Sequence, residues 1–87
     1  VLRVRGESMI DDGIHDGDLV VVHGTHEAAD GDMVVAMVDG EVTLKRLYRE
    51  AGGRVRLQPA NAEMAPLRLP ADIVTVQGVV VGLLRRY

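Results

Sequence analysis

Glycine and aspartate punctuate this chain so closely that little room is left for a helix of ordinary length. Glycines stand at 6, 13, 17, 24, 31, 40, 52 and 53, with aspartates among them, and no window between keeps a helical apolar period. The intervening runs are short and rich in β-branched residues, which is strand composition. Val1 to Arg5 alternates, while Leu19 to His23 and Met33 to Val38 are nearly continuous apolar runs. Asp39-Gly40 is a hairpin signal for a type I′ turn that joins Met33–Val38 to a strand over Val42–Arg49. A second hairpin is expected at Ala51-Gly52-Gly53, leading into Arg54–Leu57. The segment from Gln58 to Asp72 holds all three prolines, at 59, 66 and 70, and reads as loop or edge strand. Ile73 to Leu84 reads as one long strand, bulged or bent at Gly78 and Gly82. The one helical candidate is a single turn after Ser8, through Met9 and Ile10, ahead of Asp11-Asp12-Gly13.

These elements predict one domain over residues 1–87, built as an all-β, mostly antiparallel sheet. With 47% hydrophobic residues but no Phe or Trp, its core must come from Val, Leu, Ile, Met and Ala. A chain this short buries only roughly 60% of the surface its unfolded form exposes, so a partner is expected to stabilise it. The formal charge of -3 argues against this chain, as it stands, holding nucleic acid by counterion release. Without cysteine it has neither a disulfide framework nor a thiol nucleophile. No apolar run approaches a membrane span, and the start Val1-Leu2-Arg3-Val4-Arg5 lacks a signal-peptide layout, so a soluble, cytoplasmic location is expected.

The chemistry resides in Gly6-Glu7-Ser8-Met9 and Thr43-Leu44-Lys45-Arg46. A serine hydroxyl needs a neighbouring base, and a lysine serves only when burial keeps it neutral. Strand alternation places Thr43, Lys45 and Leu47 on one face, and Val42, Leu44, Arg46 and Tyr48 on the other. Taken alone, Ser8 reads more readily as a helical-turn cap, and Lys45 as an exposed strand lysine paired with Glu41 or Glu50. Other constellations are poorer. His15, His23 and His26 sit in turns and a loop, unsuited to a Ser-His-Asp triad or to zinc, and Asp12–Asp18 lacks the ligand positions of a calcium loop.

Four motifs in order carry a resemblance: Gly6-Glu7-Ser8-Met9, then Gly13-Ile14-His15-Asp16-Gly17-Asp18-Leu19, then Gly31-Asp32-Met33-Val34-Val35-Ala36, then Glu41-Val42-Thr43-Leu44-Lys45-Arg46-Leu47. With the C-terminal Gly78–Arg85 segment they cover nearly the whole chain, which resembles the LexA self-cleavage domain shared by LexA repressors, phage repressors and UmuD-like proteins. The resemblance implies an all-β, mostly antiparallel, partly closed sheet of the LexA/signal-peptidase type, whose cleft holds Ser8 as nucleophile and Lys45 as general base and later general acid. It assigns the oxyanion hole to the amides of Glu7 and Ser8 and involves neither metal nor cofactor, and Thr43 is expected to orient Lys45. It also implies stimulation by a RecA-ssDNA filament and operator DNA bound only through an N-terminal domain absent from this chain. Ile73–Leu84, the longest β-branched and aliphatic run, invites a twofold partner if it forms a sheet edge, giving a homodimer through that strand; if Gly78 and Gly82 bend it into the core, the chain stays a monomer. Only seven residues precede Ser8, so the chain is expected to be a truncated catalytic core that cuts only in trans. Ala51-Gly52 matches the family's scissile dipeptide in letters, but its hairpin turn is no place for a cleavage site. Three readings stay open: a repressor's peptidase domain, a UmuD-like polymerase accessory subunit, and a dimerisation module with no activity.

Overall fold

The computed structural model describes residues 1–85. Its strands are β1 (Leu2–Arg3), β2 (Leu19–Gly24), β3 (Met33–Val38), β4 (Glu41–Glu50), β5 (Arg54–Gln58), β6 (Leu67–Pro70) and β7 (Val74–Leu84), with 3₁₀ turns at Ile10–Asp12 and Ala71–Ile73. All pair antiparallel in one seven-stranded sheet, ordered β1-β2-β7-β3-β4-β5-β6. The all-β expectation holds. The sheet is not closed, and β1 and β6 stand at its two ends. No helix among the described residues is long and apolar enough to cross a membrane.

Local chemistry accounts for most boundaries. Asp39 and Gly40 both take positive φ, 51° and 77°, between the paired residues Val38 and Glu41, which is the type I′ geometry expected of Asp-Gly. The expected Val1–Arg5 strand is shorter, because after Arg3 the chain turns to the loop before β2, with the Val4 amide on Asp18 O and the Gly17 amide on Val4 O. Both expected irregularities of the last strand are present. The register shifts between Val35 and Ala36 leave Gln77 unpaired beside Gly78, and those between Val21 and Val22 leave Val81 unpaired beside Gly82. At Gly78 a Cβ would stand 2.8 Å from the His23 carbonyl oxygen, so the crossing of β7 and β2 is sized for glycine.

The last strand is not the sheet edge on which the expected homodimer depends. β7 lies between β2 and β3. Its two neighbours engage it in sequence, β3 from Val74 to Val79 and β2 from Gly78 to Leu84. The half from Val80 to Leu84 is therefore strand-paired on the β2 flank only.

Both faces of the sheet are apolar, which explains why β3 reads as an unbroken hydrophobic run. Val35 and Leu44 join Val4, Met9, Ile14 and Val20 in one core, and their neighbours Val34, Ala36 and Leu47 join Val55 and Leu57 in the other. The first core is roofed by the segment carrying Ser8. In the second, the β5–β6 end of the sheet curls over the start of β7, bringing Leu69 to the same cluster as Val74 and Val76.

Candidate active site

Ser8 is placed by the residue that follows it. Met9 is 1% exposed within the first core, and its carbonyl accepts the amides of Asp12 and Ile14 at 3.1 and 3.2 Å. Upstream, the Gly6 amide donates to Asp16 Oδ1 at 2.8 Å. The turn is thus fixed on both sides, and Arg46 Nε on Asp12 Oδ2 at 2.9 Å ties it to β4. The Ser8 hydroxyl donates to the Leu44 carbonyl at 3.3 Å, a long bond and so a weak one.

Strand parity explains why that carbonyl is available. The Leu47 amide and carbonyl bond Asp32 O and Gly31 N, on the β3 side. By alternation the main-chain groups of Val42 and Leu44 face the opposite flank. There β5 pairs only from Arg46 to Glu50, so the flank of β4 over Val42–Leu44 is open. A cleft of 370 Å³ occupies this flank, walled by residues 2–8, by 42–45 and by Met64.

Lys45 lines the same cleft. Its Nζ donates to Thr43 Oγ1 at 2.5 Å, the contact expected from their shared face. Burial disfavours the ammonium and holds the Lys45 pKa below the ordinary lysine value. The sequence-predicted pair Ser8 and Lys45 thus stands in one cleft, each with its own hydrogen-bond partner. Glu7 lines it too. Among the described residues, neither the Glu7 nor the Ser8 amide donates to another group.

Two contributors were missed in the sequence. Met64 and Asn61 belong to the proline-bearing stretch read as loop, and Asn61 Nδ2 donates to the Glu7 carbonyl at 2.7 Å. The same loop holds the turn again through the Asp11 amide on Ala60 O at 2.7 Å and the Ala62 amide on Asp11 Oδ2 at 3.0 Å. Asn61-Ala62-Glu63 does bear a local signature, an Asx turn in which the Glu63 amide donates to Asn61 Oδ1 at 2.9 Å. That signature predicts a turn without revealing what the turn docks against.

The histidines do not gather at Ser8. His15 lies in the turn before β2, and the His26 ring bonds the Val76 carbonyl at 2.7 Å. The aspartates of 12–18 are engaged locally rather than around an ion: Asp12 with Arg46, Asp16 with the Gly6 amide, and Asp18 with Arg85. The Arg85 hydrogen bond, followed by that from the His15 amide, lowers the Asp18 pKa to about 2. No group of three or more metal-ligating side chains occurs among the described residues. Ala51 and Gly52 lie in the β4–β5 turn and take no part in the cleft.

The model of the Peptidase S24-like family matches residues 1–81. A LexA repressor of Koribacter versatilis (strain Ellin345) is 57% identical over 88 residues, covering 100% of this chain and 41% of that protein. LexA repressor 1 of Xanthomonas axonopodis pv. citri (strain 306) is 54% identical over 87 residues, covering 99% of the chain and 43% of the relative. A LexA repressor of Thermotoga neapolitana is 52% identical over 87 residues, covering 100% and 42%. The chain therefore spans about two fifths of the length of these relatives. Matched along nearly its whole length by that family model and by these repressors, the chain belongs to the Peptidase S24-like family, as a LexA-type domain.

Proposed function

We propose that this chain is the self-cleaving serine peptidase domain of a LexA-type SOS repressor. The observation that carries the reading is the cleft shared by the Ser8 hydroxyl and the partly desolvated Lys45 amine. In the reactive arrangement the Ser8 hydroxyl exchanges the Leu44 carbonyl for Lys45 Nζ, and its proton passes to the neutral amine as Oγ bonds to the scissile carbonyl carbon. The oxyanion is received by the Glu7 and Ser8 amides. The Lys45 ammonium then protonates the departing amine, breaking the C–N bond. Water, deprotonated by the same lysine, releases the acyl group and restores Ser8. An extended target segment along the open flank of β4 gains main-chain hydrogen bonds from Val42 and Leu44.

The longer protein would hold target and catalyst in one polypeptide, bind operator DNA through another domain, and be cleaved in the cytoplasm when a RecA-ssDNA filament stabilises the cleavable state. The alternatives are a UmuD-like accessory subunit and an inactive dimerisation module. The names of the similar proteins favour the repressor. The test is cleavage in the longest polypeptide that carries this chain. Ser8→Ala, Lys45→Ala and Lys45→Arg should each abolish it with the fold intact, arginine because it stays protonated. Cleavage at the unmodified rate in folded Ser8→Ala would refute the assignment.

A further inference from the structure

Asn61 makes two hydrogen bonds with opposite halves of its carboxamide. Oδ1 accepts the Glu63 amide within its own loop, and Nδ2 donates to the Glu7 carbonyl in the Ser8 turn. The Glu7–Ser8 peptide is trans, so its C=O and N–H point in opposite directions. Fixing the carbonyl on Asn61 therefore fixes the direction of the Ser8 N–H, which points away from Asn61. An accepted hydrogen bond at the carbonyl also polarises the peptide and strengthens its N–H as a donor.

We infer that Asn61 is a positioning residue, which aims the Ser8 amide at the oxyanion by clamping the carbonyl of the same peptide. The inference deepens the peptidase reading and rests on it. The anchor is rigid because the loop is fastened on both sides of Asn61, by Ala60 O on the Asp11 amide and by the Ala62 amide on Asp11 Oδ2. Such support matters because an oxyanion donor contributes only when it is aligned before the charge develops.

Asn61→Asp separates the two roles. The carboxylate keeps an oxygen for the Glu63 amide and hence the turn, but has no hydrogen to give the Glu7 carbonyl. The readout is modification of Ser8 by an alkyl fluorophosphonate across pH. The Oγ–P bond forms, fluoride leaves with the P–F electrons, the hydroxyl proton passes to Lys45, and the phosphoryl oxygen occupies the oxyanion position. We expect Asn61→Asp to melt as the unmodified protein does and to lose at least about tenfold of the alkaline plateau rate. The midpoint of the pH profile, which belongs to Lys45, should not move. Asn61→Gln, which retains a donor, should keep more of the rate than Asn61→Asp. A plateau at the unmodified level in Asn61→Asp, or a Gln variant slower than the Asp variant, overturns the role. Labelling that persists in Ser8→Ala overturns the peptidase reading instead, and the two failures are told apart in one experiment.

Discussion

Lys45 Nζ and Thr43 Oγ1 lie 2.5 Å apart on one face of β4, so the amine is held by a hydroxyl of its own strand. The hydroxyl accepts from the amine, and an acceptor stabilises the ammonium more than the neutral form. Thr43→Val keeps the shape and removes the acceptor. Two effects are expected on Ser8 reactivity. Its pH midpoint should move lower, because the ammonium loses a partner, and its alkaline plateau should fall about tenfold, the loss of roughly one oriented hydrogen bond. A profile superimposable on that of the unmodified protein would show that Thr43 has no hold on Lys45.

Burial of Lys45 has a consequence for stability as well as for chemistry. Its pKa is lower folded than unfolded. Between those two values the unfolded chain binds the extra proton, so stability rises with pH through that window and is fully gained only above about 10.4. At neutral pH the folded protein carries the penalty of a partly desolvated ammonium. Lys45→Met should therefore melt higher than the unmodified protein at pH 7, with the difference shrinking toward pH 10. Melting curves of the two at both pH values decide it, and a difference that grows with pH would reverse the sign of the proposed burial effect.

Much of this was legible because it is local. Asp39-Gly40 fixes its hairpin by backbone preference alone, and the β3 and β4 runs declare their strands by composition. Ser8, Lys45 and Thr43 were placed by motif and by strand parity. The topology was not legible. Whether β7 is an edge or a centre depends on which strands meet it, and β2 and β3 meet it across long stretches of chain. The Asn61 contact with Glu7 spans 54 positions, and nothing in either neighbourhood specifies the other. Val1–Arg5 alternates as a strand should, yet its strand stops at Arg3 because the turn at 17–18 captures both hydrogen-bonding groups of Val4.

Gly78 is the place where a single methyl group should do most harm. Its added Cβ meets the Val22 side chain and also main chain that cannot swing away, 2.8 Å from the His23 carbonyl oxygen. Gly78→Ala must push β7 from β2 and is expected to destabilise by about 1–3 kcal/mol. Gly40→Ala makes a useful contrast, since its site is spatially open but its φ of 77° strains any other residue. Denaturant unfolding should show a cost at both positions, with strand crowding at one and turn strain at the other. A neutral Gly78→Ala would mean that β2 and β7 are not packed so closely.

The homodimer expected through the last strand has a more specific surface than an edge strand. β3 leaves β7 at Val79, so the flank of Val80–Leu84 opposite β2 has no strand partner among the described residues, and Val81, Leu83 and Leu84 are exposed there, Val81 by 64%. An antiparallel copy of the same half-strand would satisfy its main-chain groups and cover those side chains around one twofold axis. Val80 and Val81 should then behave differently. Val80 packs against the first core, so an aspartate there injures the fold itself. At the exposed Val81 it should leave melting of the separated chain intact and prevent pairing by charge and desolvation cost. Sedimentation at tens of micromolar is expected to give a dimer for the unmodified protein and a monomer for Val81→Asp, with Ser8 still reactive in both. A monomeric unmodified protein, or a Val81→Asp dimer of undiminished affinity, would remove this half-strand as the interface.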